Sequence, residues 1–499
     1  MELPIYPRKL CGAVIATHQW PQAEQLARAL DGILEHYQSK TPPKRARESL
    51  KALMPQILQQ TAQSQQPGLL LERVWRLLTA VMTRPTYLEL LVENGGALKQ
   101  LLALCESSAM VAEQLARYPI LLDELLDPCL LAKPTPLDQY RQELQQFMLR
   151  ILPEDEEGQL EGLRQFKQIQ QLRVAAADVS GKLPLMKVSD HLTRLAEVLI
   201  EAVANLAWQQ LVGRHGLPRV GEYGIERGFA IIGYGKLGGL ELGYGSDLDL
   251  VFVHDCQAQQ PTQGPKAIDS GRFYLKLAQR ILHIFTTRTS SGILYDVDMR
   301  LRPSGKSGLL VSSCHAYQSY QLNEAWVWEH QALVRARLVY GAEPFRQWFS
   351  DVRVQVLQQE RDESKLRDEV RLMRQKMMEQ SAPRGGFDLK RSHGGIIDIE
   401  FIAQYLVLRY TSPACEAMSR WSDTIRILDE AVLAGLLEQE QAKRLQGAYR
   451  KLRELIHRHT LDRLEPHLDD VSPERQWVID AWQQLLGSGG VETKEPQQG

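Results

Sequence analysis

From the start of the chain to about residue 215, apolar residues recur three and four positions apart, the spacing of amphipathic helices. "GLLLERVWRLLTAVM" is one such stretch. In "DHLTRLAEVLIEAVANLAWQQLVG", Leu192, Leu195, Ala196, Leu199, Ile200 and Val203 form a single stripe, with Ser189 as expected N-cap and Gly213 as expected stop. "PEDEEGQLEG" reads as a charged surface connection or a frayed helix start. Near residue 228 the period changes. "FAIIGYG" reads as a strand entering a glycine turn, "KLGGLEL" as a short helix or turn, and "SDLDLVFVHD" as a second strand. "GRFYLKLAQRILHIFTT" is an amphipathic helix and "GILYDVDMRLRP" a third strand, so a compact α/β unit is expected here. Beyond Pro303 helical spacing returns, starting near "SYQLNEAWVWEHQALVRARLVYG" and running to about residue 487, broken by the loop "SAPRGGFDLKRSHGG".

The chemistry concentrates in "GYGSDLDLVFVHD". Residues i and i+2 of a strand share a face, so Asp247 and Asp249 stand side by side. Two carboxylates that close repel each other, and a divalent cation would compensate them. "YDVDMRLRPSG" adds Asp298, which by period two is expected to share its face with Asp296, Arg300 and Arg302. "GYGKLG" also matches the G-x-G-x-x-G of a dinucleotide fold, with Gly233, Gly235, Gly238 and a later Asp255. That reading needs a full crossover helix before the next strand, and the gap is far too short for one. It also leaves Asp247 and Asp249 without a purpose. A nucleotidyltransferase site uses all of these residues. Gly235 and Gly245 let backbone approach a polyphosphate, Ser246 can hydrogen-bond a phosphate oxygen, and Lys236 can reach a phosphate. Asp247, Asp249 and Asp298 can hold two magnesium ions, with manganese as the other candidate, and Arg300 and Arg302 can stabilise a departing pyrophosphate.

Composition narrows the remaining choices. The 499 residues have room for about three domains, are 44% hydrophobic and 24% charged, and carry a formal net charge of -2. Bulk attraction to nucleic acid or to a membrane surface is therefore not expected. The six cysteines show no metal-ligand spacing, and no signal or membrane-spanning stretch is visible, which points to a reduced cytoplasmic protein. Asp398 and Glu400 in "DIE" fall on a predicted helix, where i and i+2 diverge, so salt bridges to Arg391 or Arg409 are expected rather than a metal. Trp326 and Trp328 are expected to pack a helical core against the α/β unit, and the tail 488–499 to be disordered.

"GYGKLGGLELGYGSDLDLVFVHD", "LYDVDMRLRPSG", "NEAWVWEHQALVRARLVYG" and "GGIIDIEFIAQYLVLRY" resemble the glutamine synthetase adenylyltransferases, the bifunctional adenylyltransferase/adenylyl-removing enzymes of bacterial nitrogen control. "QLARYPILLDELLDP" and "FKQIQQLRVAAADVSGKLPLMKVSDHLT" extend the likeness over nearly the whole chain. Members of that family carry two nucleotidyltransferase units in tandem. This chain has one, and its wording is closer to the C-terminal, transferring half. The resemblance implies an α+β, predominantly helical fold, with a DNA polymerase beta-like mixed-sheet core at 216–335 between helical domains at 1–215 and 336–487. It further implies ATP as substrate, transfer of AMP to a tyrosine of glutamine synthetase, and the PII signalling protein as a second partner. Two other readings stay open at this point: the phosphorolytic adenylyl-removing relative, and a helical adaptor whose core has decayed.

Overall fold

A computed structural model describes residues 42–127, 131–221, 227–256, 259–379, 386–468 and 473–487. The expected disordered tail, Cys11, Cys129 and the start of the 381–395 loop lie outside the described residues. The chain divides into two units: residues 1–152, 164–191 and 460–464, and residues 153–163, 192–459 and 465–499. Among the described residues, no helix is long and apolar enough to cross a membrane.

The described residues of the first unit form helices joined by turns, with no strand among them. In the helix Pro67–Val81 the buried positions are Leu70, Leu71, Val74, Leu77, Leu78 and Val81, the stripe that the spacing predicts. Ser108 caps the helix Ala109–Arg117, its hydroxyl accepting from the Val111 amide at 3.2 Å. The helix Leu185–His215, which belongs to the second unit from Leu192 on, begins a turn before the expected cap. It follows Pro184, whose carbonyl accepts from the Lys187 and Val188 amides, and this places Ser189 inside the helix and buried. Its stop is Gly216, at φ +77°, rather than Gly213.

The second unit holds the expected mixed sheet. Strands β1 (Phe229–Gly233) and β2 (Leu248–His254) are antiparallel, from Phe229 opposite His254 to Gly233 opposite Leu250. The far edge of β2 is shared by two short parallel strands: β3 (Val297–Asp298) pairs with Leu248 and Asp249, and β4 (Val311–Ser313) with Phe252 to His254. Strand β5 (Arg337–Tyr340) closes the other side against β1. Ala230, Ile232, Val251 and Val253 pack with Tyr317, Phe345, Trp348 and Phe349 from the helices Cys314–Asn323 and Glu343–Leu357. The helix Ser270–Thr286 presents Tyr274, whose ring stacks on both Phe229 and His254. Alternate residues of β1 and β2 are thus buried by different layers, which explains their unbroken apolar runs.

Two expectations change. "GILYDVDMRLRP" forms only two residues of strand, because β4 occupies the β2 edge that a longer β3 would need. Period two therefore ends at Asp298 and does not extend to Arg300 and Arg302. In the stretch read as continuous helix, Val327–Val334 is helical but Arg337–Tyr340 is β5, drawn into extended form by the open edge of β1.

The helices Glu363–Glu379, Ile396–Tyr410, Thr424–Leu433, Gln439–Leu461 and Pro473–Leu486 follow. Ile396–Tyr410 is buried on nearly all sides and sits at the centre of their common core. Trp326 and Trp328 are not part of such a core: they are 69% and 37% exposed. The helix 327–334 turns His330, Gln331, Leu333 and Val334 inward instead.

Candidate active site

The link from β1 to β2 contains only a four-residue helix, Gly235–Gly238, and the two strands run antiparallel. A dinucleotide-binding βαβ unit requires parallel strands, so that reading is excluded. The glycines have another use. The Tyr234 amide donates to the Asp249 carbonyl at 2.9 Å, which lays the turn across the start of β2. Gly235 has φ +55°, and a Cβ there would run into Oδ2 of Asp249. A Cβ on Gly238 would strike the Arg335 carbonyl, so the turn can lie this close to the chain entering β5 only with glycine at that position.

Asp249 and Asp298 are direct partners in the β2–β3 pairing. With Asp247, they bring one carboxylate oxygen each to within 4.8 Å of one another. Asp247 is exposed, while Asp249 and Asp298 are half-buried. Burial, reinforced by the charges of Asp247 and Asp298, pushes Asp249 up to about 6. Asp298 moves the other way, held below the usual carboxylate range by hydrogen bonds from Arg300. The Arg300 amide donates to its Oδ1 at 2.8 Å and the Arg300 Nε to its Oδ2 at 2.7 Å. Asp296 uses its backbone, the carbonyl accepting from the Leu248 amide, and its side chain is not in the cluster.

The other expected residues divide into two groups. Lys236 is exposed on the short helix, and its charge opposes the upward shift of Asp249. Gly245 has φ +68° with open space where a Cβ would stand, as a phosphate approach would need. Ser246 closes its own turn, its Oγ accepting from the Gly243 amide at 3.2 Å. Arg302 is engaged elsewhere. Its guanidinium donates to the carbonyls of Met299, Lys306 and Gly308, and it staples the loop after β3.

Several contacts have no local signature in the sequence. Arg335, buried, pairs with Glu241 behind the glycine turn and with Glu400 at 2.7 Å. Asp398 pairs with buried Arg374, so the "DIE" acids form ion pairs as expected but with different partners. Arg409 instead meets Glu363. Lys390, from the loop before the helix 396–410, lies close enough to Lys236 for the two charges to repel.

Residues 98–352, slightly more than half of the chain, match the family glutamate-ammonia ligase adenylyltransferase. The chain belongs to this family. Its activity is that of a glutamine synthetase adenylyltransferase, since glutamate-ammonia ligase is glutamine synthetase. The adenylyltransferase segment contains the whole sheet and all three clustered aspartates. Residues 363–482 match a second family, GlnD PII-uridylyltransferase. That match covers the helices after the sheet of the adenylyltransferase and includes Lys390, Asp398 and Glu400.

The environment of Asp249 has a consequence for stability without any ligand. Its folded-state pKa, about 6, lies above the ordinary aspartate value of about 3.9. Between these values the folded enzyme binds more protons than the unfolded chain, so stability falls as pH rises through the window. Asp249→Asn removes that penalty. With a chelator present, calorimetry should show the variant melting above wild type at pH 7, by about 1–2 kcal/mol of stability, and the gap closing toward pH 4. A gap that widens toward acid pH would contradict the environment described.

Proposed function

We propose that Asp247, Asp249 and Asp298 are the catalytic centre at which AMP passes from ATP to a tyrosine of glutamine synthetase. The clustering of three carboxylates, two from the paired strands β2 and β3 and one from the residue just before β2, in a chain of this family, carries the reading. The donor set fits divalent cations: all ligands are hard oxygens, and the repulsion from Asp247 and Asp298, which adds to burial in raising Asp249, is what a cation would relieve. Two magnesium ions, or manganese, would polarise the α-phosphate and lower the pKa of the phenol. The chain's own groups do the rest. The backbone at Gly235 and Gly245, with Lys236 and Ser246, faces the phosphates. The phenolic oxygen attacks the α-phosphorus, the bond to the β-phosphate oxygen breaks, and pyrophosphate departs with the electron pair. Asp298, held ionised by Arg300, is the carboxylate that would accept the phenolic proton. Arg300 acts by orienting Asp298, and Arg302 by holding the loop that follows. The PII signalling protein is the partner proposed for the segment 363–482, supported by its likeness to PII-uridylyltransferases. The cytoplasm, where ATP and glutamine synthetase meet, is the proposed site of action.

The test is one of direction. Incubation with unmodified glutamine synthetase and α-labelled ATP should transfer label in a reaction that needs a divalent cation. The rate should rise with pH as the phenol ionises. Phosphate-dependent release of ADP from modified synthetase, without label transfer from ATP, would establish the removing activity in its place.

A further inference from the structure

The loop that carries Lys390 is held rigidly. Asp388, in β6 (Phe387–Asp388), accepts through Oδ1 from the amides of Lys390 and Arg391 at 2.8 and 3.2 Å. Ser392 Oγ accepts from the Asp388 amide at 2.9 Å, and the Arg374 guanidinium donates to the carbonyls of Arg391 and Ser392. Arg475 donates to the His393 carbonyl at 2.8 Å. A Cβ on Gly395 would crowd the carbonyls of Leu389, Lys390 and Ser392, so the loop folds back on itself around that glycine. Strand β6 is in turn paired with β7 (His467–Leu468).

This loop is tied to the aspartate cluster by two routes. On one, the Ile397 amide donates to the Lys390 carbonyl, Glu400 one turn later pairs with Arg335, Arg335 pairs with Glu241, and the Glu241 amide donates to the Lys236 carbonyl at 2.8 Å. On the other, Tyr244 of the "GYGSD" loop rests against the ring of His457, in the helix that leads on to β7. The Lys390 side chain is half-buried, and among the described residues no carboxylate makes an ion pair with it. Burial and the nearby charge of Lys236 together hold its ammonium below the usual lysine range, with Asp388 and Glu465 acting in the opposite direction. A rigid loop thus holds one cation near another, an arrangement that is unfavourable until an anion joins them.

We propose that Lys390 binds the β- and γ-phosphates of ATP together with Lys236, and holds pyrophosphate as it leaves. The inference rests on the adenylyl-transfer reading of the site. Lys236 is adjacent to the carboxylates that flank the α-phosphate, so the polyanion beyond that phosphate is the part of ATP that would reach a second lysine. A lysine serves there as a point charge that follows the departing group without fixing its geometry.

The experiment compares wild type with Lys390→Met, which keeps the aliphatic stem, and Lys390→Arg, which keeps the charge. Binding of magnesium-ATP and of AMP is measured by calorimetry, and product inhibition with inorganic pyrophosphate. In Lys390→Met, affinity for ATP and inhibition by pyrophosphate should each weaken roughly 10- to 100-fold, the worth of a charge-assisted contact. AMP, which lacks those phosphates, should bind as in wild type, and Lys390→Arg should stay within a few-fold on all three. Unchanged ATP and pyrophosphate binding in Lys390→Met would overturn the assignment while leaving the transfer reaction intact. Equal losses for AMP and ATP would overturn it too, showing a structural role for the loop. If wild type itself fails to bind ATP, the adenylyl-transfer reading falls and takes this inference with it.

Discussion

Asp249→Asn should leave glutamine synthetase essentially unlabelled by α-labelled ATP, with kcat lower by about 10³-fold or more. The substitution preserves shape and removes a carboxylate oxygen from a cluster whose members lie within 4.8 Å of one another. The fold should not suffer, because the half-buried charge that is lost was opposed by two neighbours of the same sign. Asp298→Asn should behave alike in activity, since Asp298 is the β3 partner of Asp249 in the register. Asp296→Asn is the control. This acid is two residues away in sequence, yet its side chain is outside the cluster, so its turnover should match wild type. Initial-rate assays on the three variants, with melting temperatures measured alongside, check the assignment. Wild-type turnover in Asp249→Asn, or a loss in Asp296→Asn equal to that of Asp298→Asn, would show that the cluster is not where transfer occurs.

Arg335→Met should be the most destabilising single change considered for this fold, at about 3–5 kcal/mol. Arg335 is 6% exposed and serves two carboxylates, Glu241 at 5% and Glu400 behind the sheet. Burial alone would lower its pKa, but the two glutamates outweigh burial and raise it. Without the guanidinium, two desolvated acids face each other with no counter-charge. Urea unfolding at pH 7 measures the loss, and adding Glu400→Gln to Arg335→Met should restore part of it. A variant as stable as wild type at pH 7 would show that the triad contributes nothing net.

The helices of the first unit, the β1–β2 pair and all three clustered acids are legible in the sequence, and for local reasons. Helical stripes such as Leu70 to Val81 and the pair Asp247 and Asp249 at the start of β2 depend on residues within a few positions of each other. Asp298 is legible because its own segment repeats the alternation of acid and apolar residues. Capping and strand length were less legible. Ser189 looks like a cap and is interior because Pro184 starts the helix sooner, and "YDVDMRLR" looks like a strand and is cut to Val297–Asp298 because β4 competes for the same edge. No window of sequence contains that competition.

What the sequence by itself determined, then, is which segments can be helix or strand and where an Asp-x-Asp pair must stand, because those follow from backbone period and nearest neighbours. Tertiary structure alone decided that Arg337–Tyr340 becomes the edge strand, since only the unpaired side of β1 offers its backbone groups a partner. It also decided that Glu400 meets Arg335, that Asp398 meets Arg374, and that Lys390 stands near Lys236. Charges act through space, and a side chain buried by the fold must find its counter-charge among whatever residues the packing brings within a few ångströms, however far apart they lie along the chain.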